Sequence, residues 1–168
     1  GHAVGRVLRE NGYDVLTCLS GRSDTSRNMA ELAGVRNVVN MNALVNEADM
    51  FLSIVPPVAA LTIAQNAAEA IKATGRTMTY VDCNAIAPTT VNKIANIIQA
   101  TVTPFIDAGI IGSAPGKDNP RFYVSGPDTS AIQELNGCGL TVKNCGNSPG
   151  EASATKMCYA ALTKGTFT

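Results

Sequence analysis

Lys156 is the residue of this sequence best placed to move a proton. It lies in segment 148–168, which opens Ser148-Pro149-Gly150-Glu151. Ser at the N-cap, Pro at the first helical position and Glu three residues after the cap form a capping box, so a helix is expected from Ser148 to the end. Helical spacing then puts Ala152, Ser153, Lys156, Tyr159, Ala160, Thr163 and Lys164 on one stripe. Small side chains rather than carboxylates flank Lys156 there. Packing that stripe against another element would strip water from the ammonium group and lower its proton affinity toward that of a general base. The same periodicity suits a solvated lysine on an exposed face. Lys164, two turns on, would be a second cation for an anionic substrate or a surface residue.

A second group of residues lies at the other end. Gly1 and Gly5 stand one helical turn apart in a stretch with Val4, Val7 and Leu8 on the same side. At a helix start, Gly1 lets a phosphate reach the backbone N–H groups, whereas Gly5 reads as close packing. Residues 13–19 read as a buried strand, and Arg22 falls just past it, where a nucleotide ribose would lie. NAD-binding sites place a carboxylate there to accept from the ribose hydroxyls. Residues 18–23 contain none, and Asp24 comes slightly too late. A guanidinium offers instead a fork of donors for a 2′-phosphate, assisted by Ser23 and Arg27, so NADP is expected over NAD. The alternative for Arg22 is a solvated loop residue.

Three further sets are candidates. Val55, Pro56 and Pro57 close an apolar run; they would pack on the nicotinamide–ribose side of a cofactor or simply end a strand. The Asn84 amide can bond a substrate hydroxyl or carboxylate, or form a turn between strand and helix. Neighbouring Asp82 reads as structural. Gly112 and Ser113 lie in the longest Gly/Pro-rich gap, 109–120, where a backbone can approach a substrate and a hydroxyl can donate to it. His2 is the sole histidine. No triad partner or metal-ligand cluster accompanies it, so a surface role is expected and no metal.

The elements that must position these residues alternate between strand and helix. Expected strands are 35–39, 50–55, 77–83, 103–107, 121–125 and 140–143. Expected helices are 23–33, 41–47, 58–73, 88–100 and 128–135, with Pro88 in a first turn and Asp128 as a cap. Strands separated by ~10–15 helical residues indicate crossovers and a mostly parallel sheet. A strand before Gly1 is expected to complete the first βαβ unit, ending in Gly-x-Gly.

Composition narrows the function classes. Thirteen basic and thirteen acidic residues cancel, aromatics make up 5% and tryptophan is absent. Nucleic-acid and anionic-membrane partners are therefore not expected. No apolar run approaches the ~20 residues of a membrane span, and the start lacks the pattern of a secretory leader. Five cysteines without a CxxC pair suit a reduced, cytoplasmic protein in which they serve as small core residues.

With these motifs in order along almost the whole chain, the sequence resembles the β-hydroxyacid dehydrogenase family, which includes 6-phosphogluconate and 3-hydroxyisobutyrate dehydrogenases. GHAVGRVLRENGYDV resembles the end of the family's GxGxxG segment, with Gly1 as its third glycine. Ser20-Gly21-Arg22 resembles its basic signature for NADP, FLSIVPP its fourth strand and cofactor-contacting loop, and VDCNAIAP its D-x-S-T-x-x-P substrate segment. DAGIIGS resembles the D-A-P-V-S-G-G segment, and GEASATKMCYAALTKG the interdomain helix that carries the catalytic lysine, here Lys156. The sequence departs from the pattern at Asn84 and Ala85 (usually Ser-Thr), at Ile111 (usually a substrate-binding Ser) and at Ala160 (usually Asn). These departures remove hydrogen bonds that the family's usual substrates receive. The wording resembles a less studied subgroup whose C-terminal helical domain has no assigned function.

The resemblance implies a Rossmann-like α/β NADP-binding domain over 1–147, truncated before its first strand. It implies that 148–168 starts an interdomain helix leading to an absent helical domain. The implied reaction is NADP-dependent oxidation of a hydroxyacid, Lys156 taking the hydroxyl proton while hydride goes to nicotinamide. Cofactor contacts are expected from Gly1, Arg22, Ser23, Val55, Pro56 and Pro57, and substrate contacts from Asn84, Gly112 and Ser113. The full-length protein is expected to be a homodimer. The alternative is an NADP-binding module or fragment without turnover.

Overall fold

The computed structural model describes residues 1–115 and 119–165. Helix α1 (His2–Glu10) forms because Val4, Gly5, Val7 and Leu8 recur on one buried face. It stops at Asn11, and Gly12 follows at φ +91°. Strand β1 (Leu16–Cys18), helix α2 (Asp24–Leu32), strand β2 (Arg36–Val38) and helix α3 (Met41–Glu47) come next. The Asn40 side chain caps α3, accepting from the Ala43 N–H at 2.9 Å. Strand β3 (Met50–Ser53) ends short of Pro56-Pro57, from which a 3-10 turn (Pro57–Ala59) leads into α4 (Ala60–Thr74). Gly75, left-handed at φ +67°, terminates α4. Strand β4 (Thr79–Asp82), helix α5 (Pro88–Gln99) and strands β5 (Phe105–Ile111) and β6 (Arg121–Ser125) follow. Helix α6 (Ser130–Gln133), strand β7 (Thr141–Gly146) and helix α7 (Glu151–Gly165) complete the order.

The expected mostly parallel α/β architecture is present, with two differences in the sheet. First, the strands form two groups: β1-β2, and a five-stranded sheet ordered β3-β4-β5-β6-β7. No ladder joins β1 to β3. Between them, against α1, lies a cavity of ≈ 860 Å³ whose lining includes Leu16 and Cys18 of β1 and Met50 and Leu52 of β3. Second, β5 runs through Ile111, into a stretch whose glycines and proline read as loop. Ile110 and Ile111 pair with Phe122 and Arg121, and β5-β6 is the one antiparallel ladder of the five-stranded sheet. Residues 112–120 are too few for the crossover of about a dozen that a parallel return needs, so the chain turns back on itself.

Side-chain alternation sorts the core to the two faces of this sheet. Phe51, Tyr80 and Phe105 stack across β3, β4 and β5 with ring centroids 5.1 and 6.0 Å apart, on the face covered by α4 and α5. Val81, Ile106, Phe122 and Val124 point the other way, toward Val4, Val7 and Leu8 of α1. Asp82 and Asp107 fall on the aromatic face, one position past the rings.

Candidate functional site

The sheet register builds a buried polar row. Ser53 pairs with Asp82, Asp82 with Asp107, and Asp107 with Ser125. These residues therefore lie side by side on one face, and none is more than 1% exposed. Asp107 is saturated with donors: Gly150 N–H and Ser153 N–H at 2.9 Å, Ser153 Oγ at 2.7 Å and Ser125 Oγ at 3.5 Å. Ser125 Oγ in turn accepts from Ala152 N–H at 3.0 Å. The first turn of α7 is thus capped by a strand carboxylate. Of the expected capping box, Glu151 supplies its half, accepting from Ser148 N–H at 3.0 Å, while Glu151 N–H goes to the Ser148 carbonyl at 3.4 Å and Asp107 and Ser125 take the N–H groups of Gly150, Ala152 and Ser153.

Asp82 differs from its neighbour. Its Oδ1 accepts from Asn84 N–H at 2.9 Å, but its Oδ2 is buried with no partner among the described residues. Burial pushes the Asp82 carboxyl up to about 6, aided by the charge of Asp107 and opposed by the hydrogen bond from Asn84. Burial also raises Asp107, against the pull of its hydrogen bonds from Ser153, Gly150 and Ser125. The donor count decides which of the two ionises first: Asp107, with four donors, holds charge more readily than Asp82, with one.

Lys156 sits one turn beyond Ser153 on α7. A Cβ added at Gly109 would meet the Lys156 Cβ and the Ala152 carbonyl oxygen at 2.9 Å each, so the helix rests directly on the glycine of β5. Gly109 has no positive φ; close approach is what requires it. Burial lowers the lysine's proton affinity, and Cys83, Asp107 and Asp82 oppose that shift. The direction is the one expected from the small-residue stripe. The side chain of Lys164 lies outside the described residues.

Asn84 is corrected. Only 2% of it is exposed, and its amide is spent within the protein: Oδ1 accepts from Val55 N–H at 2.8 Å and Nδ2 donates to Ser53 Oγ at 3.0 Å. It ties the end of β4 to the end of β3 and holds the entry to the Pro56-Pro57 loop. A bond to substrate would break one of these contacts, so the geometry favours the turn-and-staple role.

On the cofactor side, Gly1 is the N-cap of α1 and has no side chain to shield the helix start. Gly5 packs: a Cβ there would meet Val35 Cγ2 at 2.9 Å. Ser23 caps α2, its Oγ accepting from Ser26 N–H at 3.4 Å. Arg22 follows a turn made by Gly21 at φ +69°. It is exposed at the cavity between β1 and β3, and its guanidinium makes no ion pair among the described residues. Arg27 Nε donates to the Arg22 carbonyl at 3.2 Å, bracing the loop. Val55 is half-buried, Pro56 and Pro57 exposed. Gly1, Ile54, Ile110, Gly112 and Ser113 share a second pocket of ≈ 240 Å³. Gly112 needs its lack of a side chain, at φ +112°.

The structure brings Gly1, Gly112 and Ser113 to one pocket and Arg22 to the adjoining cavity, with Gly1 and Ile54 lining both. Gly109, on which the base of the Lys156 side chain rests, and Ile110, which lines that pocket, are neighbours on β5 that face opposite sides of the sheet. Cys83, at the end of β4, lies near Lys156, and burial raises its thiol and so keeps it uncharged. Cys83, Gly109 and the anchoring role of Asp107 were not singled out from the sequence. A usable signal existed, because Asp82 and Asp107 both end apolar runs that become neighbouring parallel strands.

The pattern of the family described as the NAD binding domain of 6-phosphogluconate dehydrogenase matches residues 1–138. An uncharacterized 28.5 kDa protein in the 7S RNA 5′ region of Methanothermus fervidus is 31% identical over 151 residues, 90% of this chain and 57% of the relative. The conserved protein MTH1747, of unknown function and described as structurally similar to 3-hydroxyacid dehydrogenases, superposes with a TM-score of 0.85 at 32% identity. That match covers 98% of this chain and 61% of that one. The 3-hydroxyisobutyrate dehydrogenase of Mycobacterium tuberculosis, solved with L-serine, shares the fold at 18% identity and TM-score 0.78, over 96% of this chain and 56% of its own. The chain therefore spans 57% and 61% of the first two relatives.

Proposed function

The chain belongs to the family of NAD-binding domains of 6-phosphogluconate dehydrogenase, and from that premise we propose that it is the NADP-binding part of an oxidoreductase acting on the CH–OH group of a hydroxyacid. The observation that carries the reading is Lys156, half-buried on Gly109 with its proton affinity lowered. The residues at the rims of the two cavities fit a dinucleotide: a helix start bare of side chain at Gly1, and at Arg22 an exposed guanidinium without an ion-pair partner among the described residues. When bound, NADP supplies the hydride acceptor. Arg22 would grip the 2′-phosphate with Ser23 beside it, and Val55, Pro56 and Pro57 would exclude water on the nicotinamide side. Gly112 and Ser113 would approach the substrate, Ser113 donating a hydrogen bond. Lys156 would take the hydroxyl proton at Nζ, and return it when the reaction runs toward the alcohol.

A further parallel strand, hydrogen-bonded to β1 and β3, would fill the ≈ 860 Å³ cavity and join the two sheets under the cofactor. A helical domain after α7 would complete the site and pair two subunits. We place the protein in the cytoplasm on its free cysteines, Cys18, Cys83, Cys138, Cys145 and Cys158. Among the described residues no helix is long and apolar enough to cross a membrane.

The engaged amide of Asn84 and the apolar Ile111 favour a second reading, NADP binding without turnover. Assaying the chain extended to the length of its relatives against a panel of hydroxyacids with NADP separates the two. The first reading expects turnover that falls about 10²–10⁴-fold in Lys156→Ala, with NADPH affinity unchanged. Turnover that survives the substitution contradicts the lysine's role; binding with no turnover on any hydroxyacid supports the second reading.

A further inference from the structure

Asp107 has no part in the reaction just described, yet it is fully buried and more heavily hydrogen-bonded than any other carboxylate among the described residues. Three of its four bonds run to one place, the first turn of α7, through Gly150 N–H, Ser153 N–H and Ser153 Oγ. The fourth donor, Ser125, uses the same oxygen to accept from Ala152 N–H. A helix start carries unsatisfied N–H groups and a partial positive charge, and a buried carboxylate is a strong partner for both. Lys156 lies three residues past Ser153, on Gly109, two residues past Asp107 along β5. The anchor and the seat thus belong to one strand, and the lysine hangs between them.

We propose that Asp107 is the positioning residue of Lys156: its carboxylate clamps the first turn of α7 to β5 and thereby fixes the depth at which the lysine is held over Gly109. The inference rests on the reading of Lys156 as the proton-transfer group, but it concerns where the lysine is held rather than what it reacts with. Asp107 touches no reacting atom. Its effect passes through the helix, and Asp82 and Cys83 near the end of β4 are the other titratable groups beside the lysine.

Two effects of Asp107 on Lys156 have opposite signs, which makes the proposal testable. As a negative charge it raises the lysine's proton affinity; as a clamp it keeps the lysine buried and lowers it. The measurement is the titration of Lys156 by NMR of ¹³C-dimethylated lysines in the full-length protein, its resonance identified by loss in Lys156→Arg. In Asp107→Asn the clamp reading expects the midpoint to rise by about one pH unit toward that of an ordinary lysine; a fall shows charge alone and overturns the proposal. Ser153→Ala removes one clamp bond and no charge, so a rise there comes from position alone. It decides the matter should Asp107→Asn not fold, and an unchanged midpoint in Ser153→Ala overturns the proposal. Should the midpoints move as stated while Lys156→Ala retains turnover, the functional reading fails and the positioning role stands.

Discussion

Replacing Asp82 with Asn should stabilise the protein at neutral pH and not in acid. The Asp82 carboxyl is fully buried, its Oδ2 has no partner among the described residues, and it titrates at about 6 instead of 3.8. A carboxyl raised in this way favours the folded state below 3.8, and that contribution is lost as pH rises through about 6. Above that point the fold carries a desolvated charge next to Asp107. The difference between 3.8 and about 6 corresponds to about 3 kcal/mol, of which about 2 should develop between pH 4 and 8. Asn keeps the acceptor that Asn84 N–H uses and cannot ionise. Urea unfolding of wild type and Asp82→Asn across that range should therefore show the variant gaining about 2 kcal/mol on wild type as pH rises. Parallel stability curves would mean that Asp82 is solvated or paired in solution, and would refute the buried-row argument.

Gly109→Ala should lift α7 from β5, because the new methyl would lie 2.9 Å from the Ala152 carbonyl; thermal unfolding should register a loss of about 1–3 kcal/mol, and kcat should fall without a change in NADPH affinity. Asn84→Ala leaves Ser53 Oγ and Val55 N–H without their partner and should cost about 2 kcal/mol in urea unfolding, with weaker cofactor binding as the Pro56-Pro57 loop loosens. Val102 is the only β-branched residue at positive φ among the described residues, at 60°, and is 86% exposed. Val102→Asn should raise stability by about 1 kcal/mol, since Asn tolerates that conformation.

Local signals were legible where the chain itself supplies the reason. Pro88 starts α5, Gly75 ends α4, and the apolar run from Met50, stopped by Pro56-Pro57, forms a strand. Signals that depend on distant partners were not. Gly109 looked like a loop glycine, and its strand conformation makes sense only once α7 is seen lying on it. Asn84 looked available to a ligand because Ser53 and Val55, which use its amide, belong to another strand. Ser148 looked like the cap of the last helix, whereas a carboxylate from β5 does much of that work. The split between β1 and β3 agrees with the strand expected before Gly1, whereas the place of that strand between these two was hidden, because strand pairing is a property of the assembled sheet.

The proposed preference of the dinucleotide site for NADP rests on Arg22. Fluorescence titration of NADPH and NADH against wild type and Arg22→Ala tests it most directly. The account predicts NADPH binding about tenfold or more tighter than NADH, a difference of about 1.4 kcal/mol, which disappears in Arg22→Ala while NADH affinity stays put. Equal affinities in the wild type, or a preference that survives loss of the guanidinium, would contradict it.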